Sequence, residues 1–361
     1  MVLSGELIHY GTFEERQGER TVIDAQGWYL TPSFIDHHCH VYPTGTEMGL
    51  YADTYAFPQG CTALVDAGST GVANYRSFQR EIATGASADI YAYLNVAAAG
   101  QVSEHNPEYV HPDFFSDSFA DFLKAHPGIR GLKIRFDTAC TRNLGLRPLN
   151  RAAEIAHELK VPLSVHIAHH PCTLREILAT LQSGDILCHM YQDSAENILT
   201  ARGEIRPEVL EARERGVLFE SADGFANCAL KVARQAIARG FKPDIISTDL
   251  TREKLYTLRG YGLAFTLSKY HALGMTWPEV IRAATLTPRE VLHRGAPWPL
   301  KEGTRADLVL FSLLPTQGFT FTDSQDTTLE IPELLKVQLT VHRGKSVYCA
   351  PESLTRMQRF N

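Results

Sequence analysis

The chain has 361 residues, 44% hydrophobic and 21% charged, with a formal net charge of −6, which is the balance of an ordinary globular protein. No block of Lys or Arg stands out, so nucleic acid and anionic membranes are not expected as partners. No apolar run approaches the ~18–20 residues of a membrane helix, and the start lacks the basic and apolar regions of a secretory signal. Seven scattered cysteines without a Cys-x-x-Cys pair predict reduced thiols in a cytoplasmic protein.

The two ends of the chain share one pattern. Residues 1–32 and 296–361 contain turns and short alternating strands, such as RTVIDAQGWYL near the start and KVQLTVHRGKSVY near the end. A few strands cannot bury an apolar face alone. We therefore expect the two ends to meet as the halves of one small β-domain, arranged as a β-sandwich.

The middle of the chain, residues 33–295, alternates short apolar runs with stretches of helical length. NYRSFQREIAT and LNRAAEIAHELK space their apolar residues by roughly three or four, which is typical of amphipathic helices. The nearly continuous apolar runs are expected of parallel strands covered on both faces. Eight such strands are predicted, at 33–38, 61–68, 89–96, 129–135, 161–167, 185–190, 216–221 and 243–249. Eight strand–helix units predict an α/β fold, a (β/α)8 TIM barrel, with a doubly wound open sheet as the alternative.

Side chains suited to metal binding fall at the ends of five predicted strands. They are His38 and His40 after strand one, Lys133 in strand four, His166 in strand five, His189 in strand six and Asp249 in strand eight. A barrel brings the carboxyl ends of its strands to one face, where its chemistry sits. His38 and His40 are two residues apart in an extended chain, so their side chains point the same way. Imidazole and carboxylate groups in this arrangement predict a site for one or two zinc-like ions.

Lys133 does not suit a simple cation site, because an ammonium would repel the metal. A lysine amine that has reacted with CO2 carries a carbamate, which can bridge two metals and is stabilised by their charge. Taken singly, each residue has an ordinary alternative: a solvated histidine, a salt-bridged Lys133, or Asp249 capping the following helix. The ordered set at the correct strand ends favours the metal site. His37, His169 and His170 adjoin the motifs without this geometry and are expected outside the ligand set.

Seven stretches carry a family resemblance: VIDAQGWYLTPSFIDHHCH, GLKIR, SVHIAHHP, DILCHMYQ, ISTDL, AATLTPREVL and GTRADLVLF. Together they span residues 22–311 and resemble the amidohydrolase superfamily of metal-dependent hydrolases, in particular its dihydroorotase-like amidohydrolase/deacetylase group. The resemblance implies a homo-oligomer with two divalent metal ions per chain, zinc being expected. It also implies the ligands: His38, His40 and Asp249 for the more buried ion, His166 and His189 for the more exposed one, and carboxylated Lys133 bridging the two.

Members of this group hydrolyse amides or esters, among them N-acyl amino acids and acylated hydroxy acids. The resemblance implies attack on the substrate carbonyl by a metal-bridging hydroxide, with Asp249 as general base and then general acid. Single-metal deaminases of the superfamily lack the strand-four lysine, so Lys133 favours the two-metal hydrolases. A cyclic amide hydrolase of the dihydroorotase or hydantoinase kind is the main alternative. Weaker ones are a deaminase, a phosphotriester hydrolase, a Schiff-base enzyme using Lys133, and a non-catalytic binding protein of the same fold.

The stretches that border the substrate depart from the family pattern. SADGFANC stands where relatives often carry a Gly- and His-containing loop, and DLT, with Thr251, stands where they commonly have DLH. The expected substrate is a small molecule that bears a carboxylate. Arg135 could hold that carboxylate, or it could be salt-bridged to a neighbouring loop. Further candidate contacts are Tyr42, Tyr191 and Asn227.

Overall fold

The computed structural model describes residues 1–9, 20–103, 110–116, 119–224, 226–256, 261–292 and 299–360. The predicted domain boundary between residues 295 and 296 lies outside these ranges. In chain order the strands are β1 (Val2–Ser4), β2 (Leu7–His9), β3 (Arg20–Ile23), β4 (Tyr29–Pro32), β5 (Phe34–Cys39), β6 (Cys61–Asp66), β7 (Asp89–Asn95), β8 (Ile129–Arg135), β9 (Leu163–His166), β10 (Ile186–Cys188), β11 (Leu218–Phe219), β12 (Leu308–Pro315), β13 (Thr320–Thr322), β14 (Thr328–Glu330), β15 (Glu333–His342), β16 (Lys345–Cys349) and β17 (Met357–Phe360).

Helices follow most of the strands in the middle of the chain. They are α1 (Ala52–Ala56), α2 (Tyr75–Phe78), α3 (Phe119–Ala125), α4 (Thr138–Thr141), α5 (Arg147–Leu159), α6 (Leu174–Thr180), α7 (Pro207–Glu214), α8 (Leu230–Ala238), α9 (Arg252–Tyr256), α10 (Leu263–Ala272), α11 (Trp277–Ala284) and α12 (Leu286–Leu292). A capping box starts α6, in which Thr173 and Glu176 exchange side-chain and backbone hydrogen bonds. Among the described residues, no helix has both the length and the apolar character needed to cross a membrane.

Seven parallel strands, β5 to β11, form one sheet in which each strand pairs with its neighbour in the chain. Every residue of β5 and β6 is buried, as expected of parallel strands that are covered on both faces. Each of the first seven predicted strands overlaps an observed strand. The seventh is shorter than predicted, with only Leu218–Phe219 in the parallel ladder. The order and direction of the strands fit a TIM-like barrel.

The eighth predicted strand, 243–249, is not a continuous strand in the structure. Residues 245–250 instead join the two edges of the sheet through isolated parallel bridges, from Ile245 to Glu220 and from Leu250 to Cys39. Asp249 interrupts the extended conformation, because its φ of 48° lies in the left-handed region. The line along which residues 245–250 meet β5 is called the seam below.

Asp36, on the β5 side, stabilises the seam by hydrogen bonds to the other side. Its Oδ1 accepts a hydrogen bond from Thr248 N at 3.1 Å, and its Oδ2 accepts from Thr248 Oγ1 and from the Tyr55 hydroxyl, both at 2.6 Å. Burial raises the pKa of Asp36 from an ordinary 3.8 to about 6, although these hydrogen bonds oppose the shift. One buried carboxyl group therefore links the first and the eighth positions of the barrel.

Asp36→Asn is expected to change how stability depends on pH. Because burial raises its folded-state pKa, the Asp36 carboxyl favours folding fully below pH 3.8, and this contribution is lost as the pH rises through about 6. The shift corresponds to about 3 kcal/mol. Relative to Asp36→Asn, the wild type should therefore lose free energy of unfolding between about pH 4 and about pH 7. Urea unfolding in the presence of a chelator measures this, and a difference between the two proteins that is constant with pH would contradict it.

Strands from the two ends of the chain pair with each other. β4 lies beside β12, and β12, β15 and β16 continue the same antiparallel sheet, while β3 pairs with β17. Arg305, shortly before β12, forms an ion pair with Asp89 at the start of β7 and so ties the antiparallel sheet to the barrel. The arrangement as a β-sandwich and the division into residues 1–32, 33–295 and 296–361 stay predictions.

Candidate active site

Four of the six predicted metal ligands, His38, His40, Lys133 and Asp249, lie together at the carboxyl ends of the parallel strands. Asp249 Oδ1 lies 3.5 Å from His38 Nε2 and 3.3 Å from His40 Nε2. Lys133 Nζ lies 3.4 Å from the same nitrogen of His38. The donor atoms of His38, His40 and Asp249 are close enough to one another to hold a single metal ion. Their role as ligands stays a prediction.

The other two predicted ligands form a neighbouring pair. His166 Nδ1 and His189 Nε2 are 2.7 Å apart, and the rings of His38 and His189 are centred 5.4 Å apart. A cavity of about 570 Å³ opens onto the cluster and is lined by five of the six side chains, namely His38, His40, Lys133, His166 and Asp249. His189 is fully buried and lies behind His166 in contact with it. All six side chains are therefore within reach of one small site.

The histidines are oriented by hydrogen bonds at their outer nitrogens. His38 Nδ1 donates to Glu220 Oε2 at 3.1 Å, and His189 Nδ1 donates to the Ala222 carbonyl at 2.7 Å. His40 Nδ1 lies 2.9 Å from the Ser69 hydroxyl oxygen. These contacts leave the Nε2 atoms turned towards the cluster, which is how ligating histidines are commonly held.

Burial favours the neutral imidazole in His38, His166 and His189. It lowers the pKa of His38 to about 4, with help from the charge of Lys133, and it lowers the pKa of His189 to about 3. Burial and the neighbouring His189 also hold the pKa of His166 well below its ordinary value. Neutral imidazole is the form that binds a metal, so the donors fit divalent ions at neutral pH.

Lys133 has unusual surroundings for a lysine. It is 2% exposed, and its Nζ contacts His38 Nε2 and, at 3.7 Å, Cys188 Sγ. Within the described ranges no Asp or Glu pairs with its ammonium. Gly68, with φ of 93°, makes room for it, because a Cβ there would lie 2.6 Å from Lys133 Cγ. A buried ammonium without a carboxylate partner is costly, whereas a carbamate between two cations would be compensated.

Asp249 presents its two oxygens to two different environments. Oδ1 faces the histidines, whereas Oδ2 accepts hydrogen bonds from Asn227 Nδ2 at 3.1 Å and from Lys254 Nζ at 3.5 Å. Burial would raise the pKa of Asp249, but the charge of Lys254 and the hydrogen bond from His40 hold it well below its ordinary value. Asp249 and His189 both have positive φ, a conformation that non-glycine residues adopt rarely.

Glu220 is the main site residue that the sequence did not indicate. It is 1% exposed and lies next to the predicted ligands, where it accepts hydrogen bonds from His37 Nδ1 at 2.8 Å and from His38 Nδ1. Burial would raise its pKa, but the charge of His37 and these hydrogen bonds lower it strongly. The only signal in the sequence is a carboxylate inside an otherwise apolar predicted strand. His37 is therefore a buried partner of Glu220, and its exclusion from the ligand set stays a prediction.

Glu220→Gln is expected to weaken zinc binding by about tenfold to a hundredfold. The amide removes the negative charge that holds the Nδ1 proton of His38 and so makes His38 Nε2 a poorer donor. Competition with a chromogenic chelator measures the affinity. Glu211→Gln, an exposed position on α7, is the matched control and should bind zinc as the wild type does. An unchanged affinity in Glu220→Gln would show that Glu220 only fills space.

The candidate substrate contacts divide into two groups. Arg135 and Asn227 line the cavity. Tyr42 and Tyr191 do not line it, so their prediction as contacts is corrected. Tyr191 is fully buried and its hydroxyl donates to the Phe241 carbonyl at 3.0 Å, while Tyr42, 4% exposed, packs edge-on against a neighbouring aromatic ring. Both residues follow the ends of their strands, and their side chains point into the protein interior.

Comparisons with known proteins agree with this site. The chain matches the profile of the amidohydrolase family over residues 29–347. It is 28% identical over 346 residues to Deacetylase Atu3266 of Agrobacterium fabrum, covering 95% of this chain and 84% of that protein. It is 29% identical over 333 residues to a deacetylase of Enterococcus faecalis, covering 88% of this chain and 86% of that protein.

Two solved structures resemble the chain closely. The crystal structure of a dihydroorotase superposes with a TM-score of 0.80 at 28% identity, over 89% of this chain and 84% of that one. The crystal structure of an adenine deaminase superposes with a TM-score of 0.84 at 28% identity, over 90% of this chain and 88% of that one. The predicted superfamily is confirmed: the chain belongs to the amidohydrolase family and is a hydrolase that acts on carbon–nitrogen bonds.

Proposed function

We propose that the protein is a two-metal hydrolase that removes an acyl group from the amide or ester of a small carboxylate-bearing molecule. The observation that supports it most is Lys133, a buried amine beside His38 with no Asp or Glu pairing with it in the described part of the chain. Converted to a carbamate, Lys133 would become the anion that a pair of divalent ions needs between them. The relatives named deacetylases support the removal of an acyl group.

The donor set divides between two ions, for which zinc is expected. His38, His40 and Asp249 would hold one ion, His166 and His189 the other, and carboxylated Lys133 both. When bound, the ions supply the positive charge that activates water and polarises the scissile carbonyl.

Asp249 is the proposed general base and acid. Its Oδ1 faces His38 and His40, so Oδ2 is the oxygen left to exchange a proton. In this scheme Asp249 Oδ2 takes the proton of the attacking water and returns it to the leaving nitrogen or oxygen. Asn227 and Lys254 keep that oxygen in place through the reaction.

The cavity supports a small polar substrate. Its volume is about 570 Å³, and the apolar side chains in its lining are few: Met48, Ala139, Ala168 and Ala226. Such a lining suits a molecule with several polar groups better than a long acyl chain. An N-acetyl amino acid or an O-acetyl hydroxy acid would match this description.

Opening of a cyclic amide is the second candidate, and the similarity to a dihydroorotase structure favours it. Deamination is a further arm of the test, because an adenine deaminase structure is similar to the same degree. The three reactions differ in their products: a free acid and amine or alcohol, a ring-opened acid, or ammonia.

The deciding experiment measures acid release by zinc- and bicarbonate-loaded protein. The panel contains N-acetyl-D- and L-amino acids, O-acetyl hydroxy acids, dihydroorotate and hydantoins, with ammonia release from adenine as a separate arm. Turnover of an acetylated substrate alone is expected. Turnover confined to the cyclic amides or to adenine would replace the proposed reaction, and a protein that binds two metals yet acts on none would place the substrate outside these classes.

A further inference from the structure

Among the described residues, three cationic side chains line the cavity: Lys133, Arg135 and Lys254. The proposed function assigns Lys133 to the metal ions. The other two determine how an anionic group of the substrate would be bound. Arg135 is the residue that the sequence suggests, but the contacts favour Lys254.

Arg135 already has a carboxylate partner. Its Nε donates to Asp137 Oδ2 at 2.7 Å, and both side chains are largely buried. Asp137 is held in place as the N-cap of α4, where its Oδ1 accepts from Cys140 N at 2.8 Å. The charge of Arg135 is therefore opposed by a carboxylate at 2.7 Å, whereas the carboxylate beside Lys254 is 3.5 Å away, so Arg135 is the less able of the two to attract a substrate carboxylate.

Lys254 lies between Asp249 and the open cavity. Its Nζ is 3.5 Å from Asp249 Oδ2, which is longer than the roughly 2.7–2.9 Å of a strong charge-assisted hydrogen bond. Asn227 takes the closer position at the same oxygen, at 3.1 Å. The side chain of Lys254 is 14% exposed and forms part of the cavity wall. Its ammonium can therefore contact a ligand in the cavity while it stays beside Asp249.

Two local features give Lys254 this position. At the start of α9, Thr251 Oγ1 accepts a hydrogen bond from Lys254 N at 3.4 Å. Gly224 provides the space, because a Cβ there would lie 2.7 Å from Asp249 Oδ2 and 3.3 Å from Lys254 Nζ. Thr251 and Gly224 belong to DLT and SADGFANC, the two stretches that depart from the family pattern. Both stretches therefore border the same ammonium group.

A metal ion would strengthen the case for an anion at Lys254. An ion held by His38, His40 and Asp249 would draw on the negative charge of Asp249, which now faces Lys254. The ammonium would then favour a further anion on its cavity side.

We propose that Lys254 binds the carboxylate of the substrate and thereby selects acylated amino or hydroxy acids over neutral amides and esters. The inference rests on the proposed function for the kind of substrate, and it adds which side chain recognises the substrate carboxylate. A carboxylate accepts a charge-assisted hydrogen bond from an ammonium, whereas the carboxamide of the same molecule accepts only a weaker one.

The test measures equilibrium binding to the zinc-loaded protein and does not depend on turnover. N-methylsulfonylalanine, which has no acyl carbon to hydrolyse next to its nitrogen, is compared with its carboxamide by titration calorimetry. The wild type should bind the carboxylate about tenfold to a hundredfold more tightly. Lys254→Met should reduce this preference to within about threefold, and Lys254→Arg should retain most of it. Lys231→Met, which removes the same charge from an exposed position on α8, should behave as the wild type.

The outcomes separate this inference from the reaction. Zinc content is measured for each variant, so a loss of metal is distinguished from a loss of carboxylate recognition. A preference that survives in zinc-replete Lys254→Met, or a wild type that binds both probes equally, would overturn the proposal. A Lys254-dependent preference in a protein that hydrolyses nothing on the panel would leave the inference standing and overturn the proposed reaction.

Discussion

The Lys133→Ala protein is expected to lose much of its zinc and at least about a thousandfold of its kcat/KM. The side chain that is removed contributes the only group in the cluster that could become a carbamate. Without it, the two cations would be held by histidines and by Asp249, the single carboxylate among the predicted ligands. Metal analysis and steady-state kinetics on the substrate found with the panel measure the two losses separately.

Rescue of Lys133→Ala by a short carboxylic acid tests the bridging role of the carbamate, with Lys133→Met as the matched control. Acetate or propionate can enter the space left by the side chain and place a carboxylate where the carbamate would lie. Added to Lys133→Ala, it should restore part of the zinc and part of the activity, whereas it should not help Lys133→Met, in which the space stays filled. Full activity with two bound metals in Lys133→Ala would show that Lys133 does not bridge them.

Asp249→Asn should separate metal binding from catalysis. The amide oxygen keeps a donor close to His38 and His40, so most of the zinc is expected to remain. An amide cannot accept and return the proton of the attacking water, so kcat is expected to fall by about a hundredfold to ten-thousandfold. Zinc content per chain and kcat at saturating substrate are the two measurements. Parallel losses of metal and of kcat would make Asp249 a ligand alone.

The parallel strands could be predicted because burial leaves a mark in the sequence. β5 and β6 are buried over their whole length, and each contains a short apolar stretch, as strands covered on both faces require. Parallel strands place their carboxyl ends on one side, and this is why His38, Lys133 and Asp249 could be predicted to meet across more than two hundred positions of the chain. The sequence predicts a strand over 243–249, but that segment makes only isolated bridges, and the left-handed backbone of Asp249, just before the bridge at Leu250, breaks the regular extended conformation.

Side-chain direction beyond the strand ends could not be predicted. Within a strand, the alternation of side chains tells which face a residue occupies. After the strand this periodicity is lost, so the sequence does not distinguish Tyr42 and Tyr191, which point into the protein, from Asn227, which lines the cavity. Glu220 could not be predicted as a site residue for a related reason. Its partner His38 is distant in the sequence, and no local pattern indicates their contact.

The seam separates the predicted ligands, since His38 and His40 lie on the β5 side and Asp249 lies opposite them. Few backbone hydrogen bonds between described residues cross it, among them Asp249 N to the His38 carbonyl at 2.7 Å and His40 N to the Leu250 carbonyl at 3.3 Å. A metal ion shared by these residues would act as a cross-link, and its binding energy would also oppose opening of the barrel. When zinc is scarce, the metal-free protein would open more readily at the seam and would be exposed to proteolysis. Metal supply would then govern the abundance of the enzyme as well as its activity.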